Sequence, residues 1–393
     1  MVDLHDALSN PIPDIPSGIR YRRARALAYF IDGEELIVFN FLTNRSFACN
    51  LNCLELLTQS ADWQPLERIF QVLEDHYTNS LVEEVVKLFE LTALVVEGDR
   101  IADLDEKYEL AWEWGNATGL AHFSSKDNPT VTDQLASDIQ VERSKLDPSP
   151  PLFNGHERTS NTVELPVFET KNELHAVMRM RRTIRAFCAE PIPLKAMSDI
   201  LFAGLGIVSL VETPAGTLPL KMTPSPGARN PYEAYIYANN VAGLKSSTFY
   251  HYSSFGHALE PIANVEGASP TMSEMFALNQ PWVEGAGAIL VLVAHFDRVM
   301  WKYLNSSAYG SVLVEAGHVA QNAMLIATQH GLVANPSGAI AHSLIERAIG
   351  ATQVTQSIVY ALAIGVPDSA AESVKWLEPE LSMRDRLGKE MNA

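Results

Sequence analysis

Arg181-Arg182-Thr183-Ile184-Arg185-Ala186-Phe187 packs three cations and a hydroxyl into one short run of chain. Further along stands Pro224-Ser225-Pro226-Gly227-Ala228-Arg229-Asn230-Pro231, a rigid loop with one glycine in its middle. Arginine forks match phosphate oxygens two at a time. A glycine lets backbone approach a flat ring closely. Ser225 and Asn230 add groups that can hydrogen-bond ring heteroatoms. The two segments together suit a phosphorylated, planar cofactor, and flavin mononucleotide (FMN) fits that description. A cation near the N1/O2 edge of a flavin also favours its reduced anion. Two plainer readings stand beside this one. The arginines could form a solvated basic face before a helix, and prolines and glycines make turns wherever they occur.

Bulk properties narrow the setting. The chain has 393 residues, 47% of them hydrophobic and 19% charged, enough for two soluble globular domains. Its formal net charge is −18, which argues against nucleic acid or an anionic membrane as partner, since both need a cationic face. The basic run at 179–185 stands out against this acidic background. Cys49 and Cys53 are spaced as in metal sites, but no second Cys/His pair completes one, so no metal is expected. Residues 1–20 lack the apolar core of a signal peptide. No apolar run reaches the roughly 18 residues of a membrane span. A reduced, cytoplasmic protein is the expectation.

Residues 1–107 read as a small winged-helix-like module. Strand-like runs at 26–31 and 36–42 meet at Asp32-Gly33, a hairpin signal. Asn52 with Glu55 resembles a capping box, and Pro65 opens a helix over 66–73. Ser80 with Glu83 caps a further helix, and 94–96 is strand-like. Residues 108–164 form a connecting segment. It holds Trp112, Trp114 and His122-Phe123, then a polar stretch over 128–162 read as a linker or surface excursion. Residues 165–393 form the larger unit. Helices are expected at 174–179, 196–205 and 311–330, and strands at 234–238, 248–252, 288–294 and 357–364. The apolar run 288–294 reads as a strand covered on both faces. The fold class is α+β, a central mixed sheet flanked by helices. Glu315, His318 and Asn322 share one stripe of the long helix and call for hydrogen-bond partners, expected across a dimer. His122 reads as a packing histidine.

These residues carry a family resemblance. Arg181–Phe187 resembles the R-R-S-x-R-x-F opening of the nitroreductase superfamily, with Thr183 in place of serine. The loop 224–230 resembles its P-S-x-G-A-R-N segment. Gly331-Leu332-Val333 and Ile364-Gly365-Val366-Pro367 resemble two further landmarks. More narrowly, the chain is similar to SagB-type dehydrogenases, the oxidase component of thiazole/oxazole-modified peptide biosynthesis. The signs are Trp112-x-Trp114, His122-Phe123, Lys302-Tyr303, Glu315-Ala316-Gly317-His318 and Gln321-Asn322.

The resemblance implies a homodimer with two FMN sites at its interface. Arg181, Arg182, Thr183 and Arg185 would hold FMN from one subunit. Pro224, Ser225, Gly227 and Asn230 would approach from the other, and Leu332, Val333 and Ala334 would lie against the ring. It also implies oxidation of an azoline to an azole on a peptide or carrier-bound substrate. Lys302 and Tyr303 would do the proton work, and a cyclodehydratase or synthetase would be a partner. A lysine acts as base when its surroundings desolvate it. Two departures stand out. No arginine follows Lys302-Tyr303, and Asp368 with residues 369–372 replaces the basic residues often found after the last strand. Two other functions remain open on the sequence: an NAD(P)H-dependent nitro or quinone reductase, and a flavin-binding subunit that recruits peptide with little chemistry of its own.

Overall fold

The computed structural model describes residues 18–33, 35–49, 51–69, 79–127, 133–146, 163, 171–214, 216–262, 271–276 and 280–368. The N-terminal part carries β1 (Arg20–Arg23), β2 (Leu27–Asp32), β3 (Glu35–Asn40), β4 (Arg45–Cys49), α1 (Leu51–Gln59), β5 (Gln64–Pro65), α2 (Asn79–Glu90) and β6 (Leu94–Val96). They form two antiparallel three-stranded sheets, β5-β1-β6 and β2-β3-β4. The expected hairpin is present: Gly33 has φ 59, the left-handed conformation such a turn demands. Helix α1 begins at Leu51, so Asn52 lies within its first turn; the expected capping box rests on the Asn52 side chain, which lies outside what the structure describes, and Glu55 accepts a bond from Gln59. Strands β1 and β4 were not expected. The helix expected over 66–73 lies partly outside the described residues, as do the side chains of Ser80 and Glu83.

Helices α3 (Arg100–Ala111), α4 (Gly115–Phe123) and α5 (Asp133–Leu146) follow. The last occupies a stretch expected to be linker. Its Leu135, Ile139, Val141 and Leu146 are exposed, so its sequence shows no core-facing stripe. Buried Asp105 anchors α3. It takes the Arg22 guanidinium at 2.6 Å and the backbone N–H groups of Arg25 and Ala26. That pins the corner between β1 and β2 onto the helix.

The larger unit runs α6 (Glu173–Met180), α7 (Leu194–Leu205), the hairpin β7 (Ile207–Thr213) and β8 (Gly216–Lys221), β9 (Tyr232–Ala238), β10 (Thr248–Ser253), β11 (Ala258–Pro261), α8 (Met272–Met275), β12 (Ala288–His295), α9 (Phe296–Met300), α10 (Ala308–Gln329), β13 (Val333–Ser337), α11 (His342–Ile349) and β14 (Gln356–Gly365). Six strands make one sheet in the order β11-β10-β9-β12-β14-β13. Its described pairings are antiparallel; the parallel feature near it is an isolated Ile192–Val241 bridge. Central β12 is buried on both faces, as its apolar run predicts. Ala288, Leu290, Leu292 and Ala294 face the core built with α7 and α10, while Ile289, Val291 and Val293 face that built with α8 and α11.

The first of these cores does not stop at residue 165. Ala26, Phe41, Tyr108, Trp112, Trp114 and Phe123 belong to it, together with Phe296 and Val312. The connecting segment is thus an aromatic plug between the two parts. Trp112 packs edge-on against Phe296 and Phe123 and stacks on His122.

Candidate functional site

The loop 224–231 is pinned from below. Ser225 Oγ donates to Glu315 Oε2 at 2.8 Å and accepts the backbone N–H of Asn230 at 2.9 Å. The Asn230 amide donates to the carbonyls of Pro219 and Ala228, both at 2.9 Å. These bonds hold Gly227, Ala228 and Asn230 at positive φ, which costs energy for the two non-glycine residues. One stripe of α10 supplies the support. Glu315 holds Ser225, and Asn322 donates to Thr223 Oγ1 at 3.1 Å and, more weakly, to the Ala203 carbonyl. The partners expected across a dimer therefore lie within the same chain. His318, on the same stripe in sequence, is exposed.

Lys302 and Tyr303 meet this loop. A Cβ on Gly227 would lie 2.5 Å from both Lys302 Nζ and Tyr303 Oη. Its φ of 60 favours glycine there, and any Cβ would push aside the tips of those two side chains. Lys302 Nζ lies 3.4 Å from the Gly227 carbonyl, and its side chain is exposed in the single chain. The aromatic plug holds the turn that carries the pair. Trp114 Nε1 donates to the Tyr303 carbonyl at 2.9 Å, and Tyr309 Oη bonds His122 Nδ1 at 3.1 Å. His122 is 4% exposed, and burial pushes its pKa well down. It is a neutral packing residue, as expected, whose Nε2 has no partner.

The arginine segment sits elsewhere. Residues 181–187 run between the edge strand β13 and the end of β14. Asn335 Nδ2 donates to the Ile184 carbonyl, Phe187 bridges Pro367, and Asp368 N–H bonds the Ala186 carbonyl. Arg182 Nη1 folds back onto the carbonyls of Arg179 at 2.6 Å and Arg181 at 2.8 Å, closing the C-terminal turn of α6. Arg181 Nη1 lies 3.5 Å from Thr183 Oγ1, and the Arg185 guanidinium lies 5.5 Å from the Trp282 ring centroid. Among the described residues neither Arg181 nor Arg185 has an ion-pair partner. Leu332, Val333 and Ala334 bury their side chains, but among the described residues β13 pairs only with β14 and is an edge strand. Asn335 Oδ1 is buried there without a partner among the described residues.

Helix α10 separates the two groups. Glu315 lies two turns into it, and Leu332 follows its end. From Glu315 to Gln329 the helix rises about 20 Å at roughly 1.5 Å per residue. One chain thus joins Ser225, Gly227, Asn230, Lys302 and Tyr303 in one place. It joins Arg181, Thr183, Arg185 and residues 332–334 in another.

Two groups were missed from sequence. Asn335 stands two residues after the Gly331-Leu332-Val333 landmark, and that nearness could have flagged it. Lys221 ends a hairpin whose alternation is hidden because both faces are exposed. Burial pushes Glu315 up to about 7, against the opposing pull of its Ser225 bond and of Lys221. Burial likewise pushes Lys221 down to about 8. Among the described residues, no cluster of His, Cys, Asp or Glu could hold a metal, and no helix is long and apolar enough to cross a membrane.

Residues 178–366 match the Nitroreductase family. The chain is 31% identical over 170 residues to the nitroreductase-like protein MJ1384 of Methanocaldococcus jannaschii, covering 80% of that protein and 43% of this chain. This chain belongs to the nitroreductase family. The motif resemblance is borne out at that level. This nitroreductase-family chain is also 25% identical over 146 residues to the trifolitoxin-processing protein TfxB of Rhizobium leguminosarum bv. trifolii, spanning 37% of this chain and 39% of TfxB. Among solved structures it is similar to a chain of the E. coli microcin synthetase McbBCD complex with truncated pro-MccB17 bound. That match has a TM-score of 0.49 and 18% identity, and covers 70% of this chain and 99% of the other.

Proposed function

We propose that this chain is a SagB-like, FMN-dependent dehydrogenase that oxidises an azoline to an azole on a peptide or carrier-bound substrate. The observation that carries the reading is the seating of Lys302 and Tyr303 on Gly227 of the loop 224–231. Bound FMN would supply the hydride acceptor. Proton transfer falls to Lys302 Nζ and Tyr303 Oη, which stand side by side where that loop would meet the ring. Arg181 and Arg185, which have no counter-ion among the described residues, and the Thr183 hydroxyl would hold the phosphate. The edge of β13 and the unpartnered Asn335 Oδ1 would face the ring's polar rim.

The Gly227 group packs against Glu315 while residues 332–334 follow the end of α10, which favours a homodimer in which each chain supplies one half. The apolar surface beside both halves supports this: Met178, Leu210, Met222 and Val314 are each more than half exposed. A dimer would also cover exposed Lys302 and supply the desolvation a base requires. The similarity to TfxB supports a peptide substrate. Docking of that peptide falls to the N-terminal module of residues 1–107, joined through residues 108–164 to the catalytic unit of 165–393. A cyclodehydratase or synthetase would make the azoline.

The test is direct. Purified protein should carry FMN, and with an azoline-containing peptide it should form the azole and lose that turnover in Lys302→Ala. A protein that takes up no FMN sinks the reading. Rapid flavin reduction by NADPH without any azoline turnover replaces it with a nitro- or quinone-reductase function.

A further inference from the structure

A cavity of about 380 Å3 lies behind the loop 224–231, walled by β8, β9, β10 and α9. It shares Ala228, Arg229 and Asn230 with that loop, but neither Lys302 nor Tyr303 lines it. Its polar lining is one-sided. Glu233 is the one carboxylate in the wall, and it is already shared. Arg298 forms an ion pair with it, and His251 Nε2 bonds it at 2.6 Å. These contacts hold Glu233 down at about 2, the His251 bond foremost. His251 also reaches Glu260 at 3.3 Å, and Arg298 donates to the Asn230 carbonyl at 3.1 Å.

Two further cations line the same space without a carboxylate of their own. Arg229 holds the Arg298 carbonyl through Nε at 2.7 Å and lies over the Trp301 ring at 4.5 Å. Lys221 is half-buried and has no hydrogen bond among the described residues. The other carboxylate acting on Lys221 is Glu315, which is bound to Ser225 and, at about 7, only partly ionised near neutral pH. The rest of the wall adds the apolar and aromatic side chains Ile207, Leu218, Tyr252 and Phe255 beside Asn230, Ser253 and Ser254. A solvated basic patch would leave its lysine in water. Here burial works against the Lys221 charge, so a matching anion would relieve that cost. The chain as a whole carries −18, which makes this excess of positive charge a local construction. The volume suits a small ligand.

We propose that this cavity binds a small organic anion, a carboxylate carried on an apolar body. Lys221 and Arg229 hold the carboxylate, and Tyr252 and Phe255 receive the body. Through Arg298 and Asn230 the ligand sits directly behind the loop that carries Ser225.

The test uses the full chain with excess FMN present, so that any phosphate subsite of the flavin is filled. Benzoate is the probe, titrated by calorimetry and by thermal shift, with inorganic phosphate in parallel. Saturable benzoate binding is expected, weakened by about tenfold or more in Lys221→Met, which loses a charge-assisted contact. Lys221→Met should melt no lower than the parent without ligand, because it removes a half-buried charge. A second variant, Phe255→Ala, alters a side chain that is 84% exposed. It should weaken benzoate several-fold through lost apolar contact. Equal benzoate binding by the parent and Lys221→Met, or no saturable binding by the parent, overturns the proposal. Lys221-dependent binding of phosphate but not benzoate overturns the carboxylate assignment.

Discussion

The two ends of α10 are built to opposite rules. At its start the polar groups are answered within the chain. Ser225 has Glu315, Asn230 has Pro219 and Ala228, and the Tyr303 carbonyl has Trp114. Beyond its end Arg181 and Arg185 have no counter-ion among the described residues, β13 leaves an edge, and Asn335 Oδ1 is buried without a partner. A satisfied end is preorganised and holds a shape. An unsatisfied end is stable only if something else completes it. The contrast sets a preorganised group around Lys302 and Tyr303 against an open one around Arg181 and Arg185.

The largest effect should come from attacking the satisfied end at its aromatic support. Trp112→Ala removes a ring that is 5% exposed and packs on Phe296, Phe123 and His122. Denaturant unfolding should show a loss of about 3–5 kcal/mol. At the open end the signature reverses. Arg181→Gln should leave unfolding nearly unchanged but weaken FMN by roughly 10- to 100-fold, the worth of about 1.5–3 kcal/mol from a charged hydrogen bond. An equal loss in both measurements would erase the distinction between the ends.

Glu315→Gln sharpens the comparison through pH. The folded value of about 7 lies above the ordinary 4.5, so this group's stabilising contribution is complete below pH 4.5 and is lost as pH rises through 7. The variant keeps an acceptor for Ser225 but cannot ionise. Its melting temperature should flatten across that window, and at pH 8 it should exceed the parent by about 1–2 kcal/mol in stability. Smallest is Trp114→Phe, which keeps the packing and drops one bond to the Tyr303 carbonyl. It should cost about 1 kcal/mol and lower kcat for azoline oxidation more than it changes KM.

Much of the fold was legible in local pattern. The doubly apolar run at 288–294 became the central strand β12, and Pro193 with its apolar stripe became α7. The hairpin Ile207–Lys221 escaped because Val208, Leu210 and Val211 are exposed on it, so no inside–outside alternation marks it. Helix α5 escaped for the same reason. Within the site, Lys302 and Tyr303 were legible as a pair, and so were the loop and the arginine run. Their grouping was not, because it depends on contacts across long sequence separations that no local spacing encodes.

The sequence by itself determined the chemical inventory: arginine forks and a hydroxyl for phosphate, a glycine where a ring can approach, and a Lys-Tyr pair. These are properties of residue types and short spacings. Tertiary structure decided the rest. It placed Gly227 under Lys302 and Tyr303, made residues 108–123 a plug for their turn, and turned Glu315 inward to Ser225. It also set one group against the Glu315–Asn322 stretch of a 22-residue helix and the other beyond its end. Their spacing is fixed by α10 being one rigid rod, which no local run of sequence encodes.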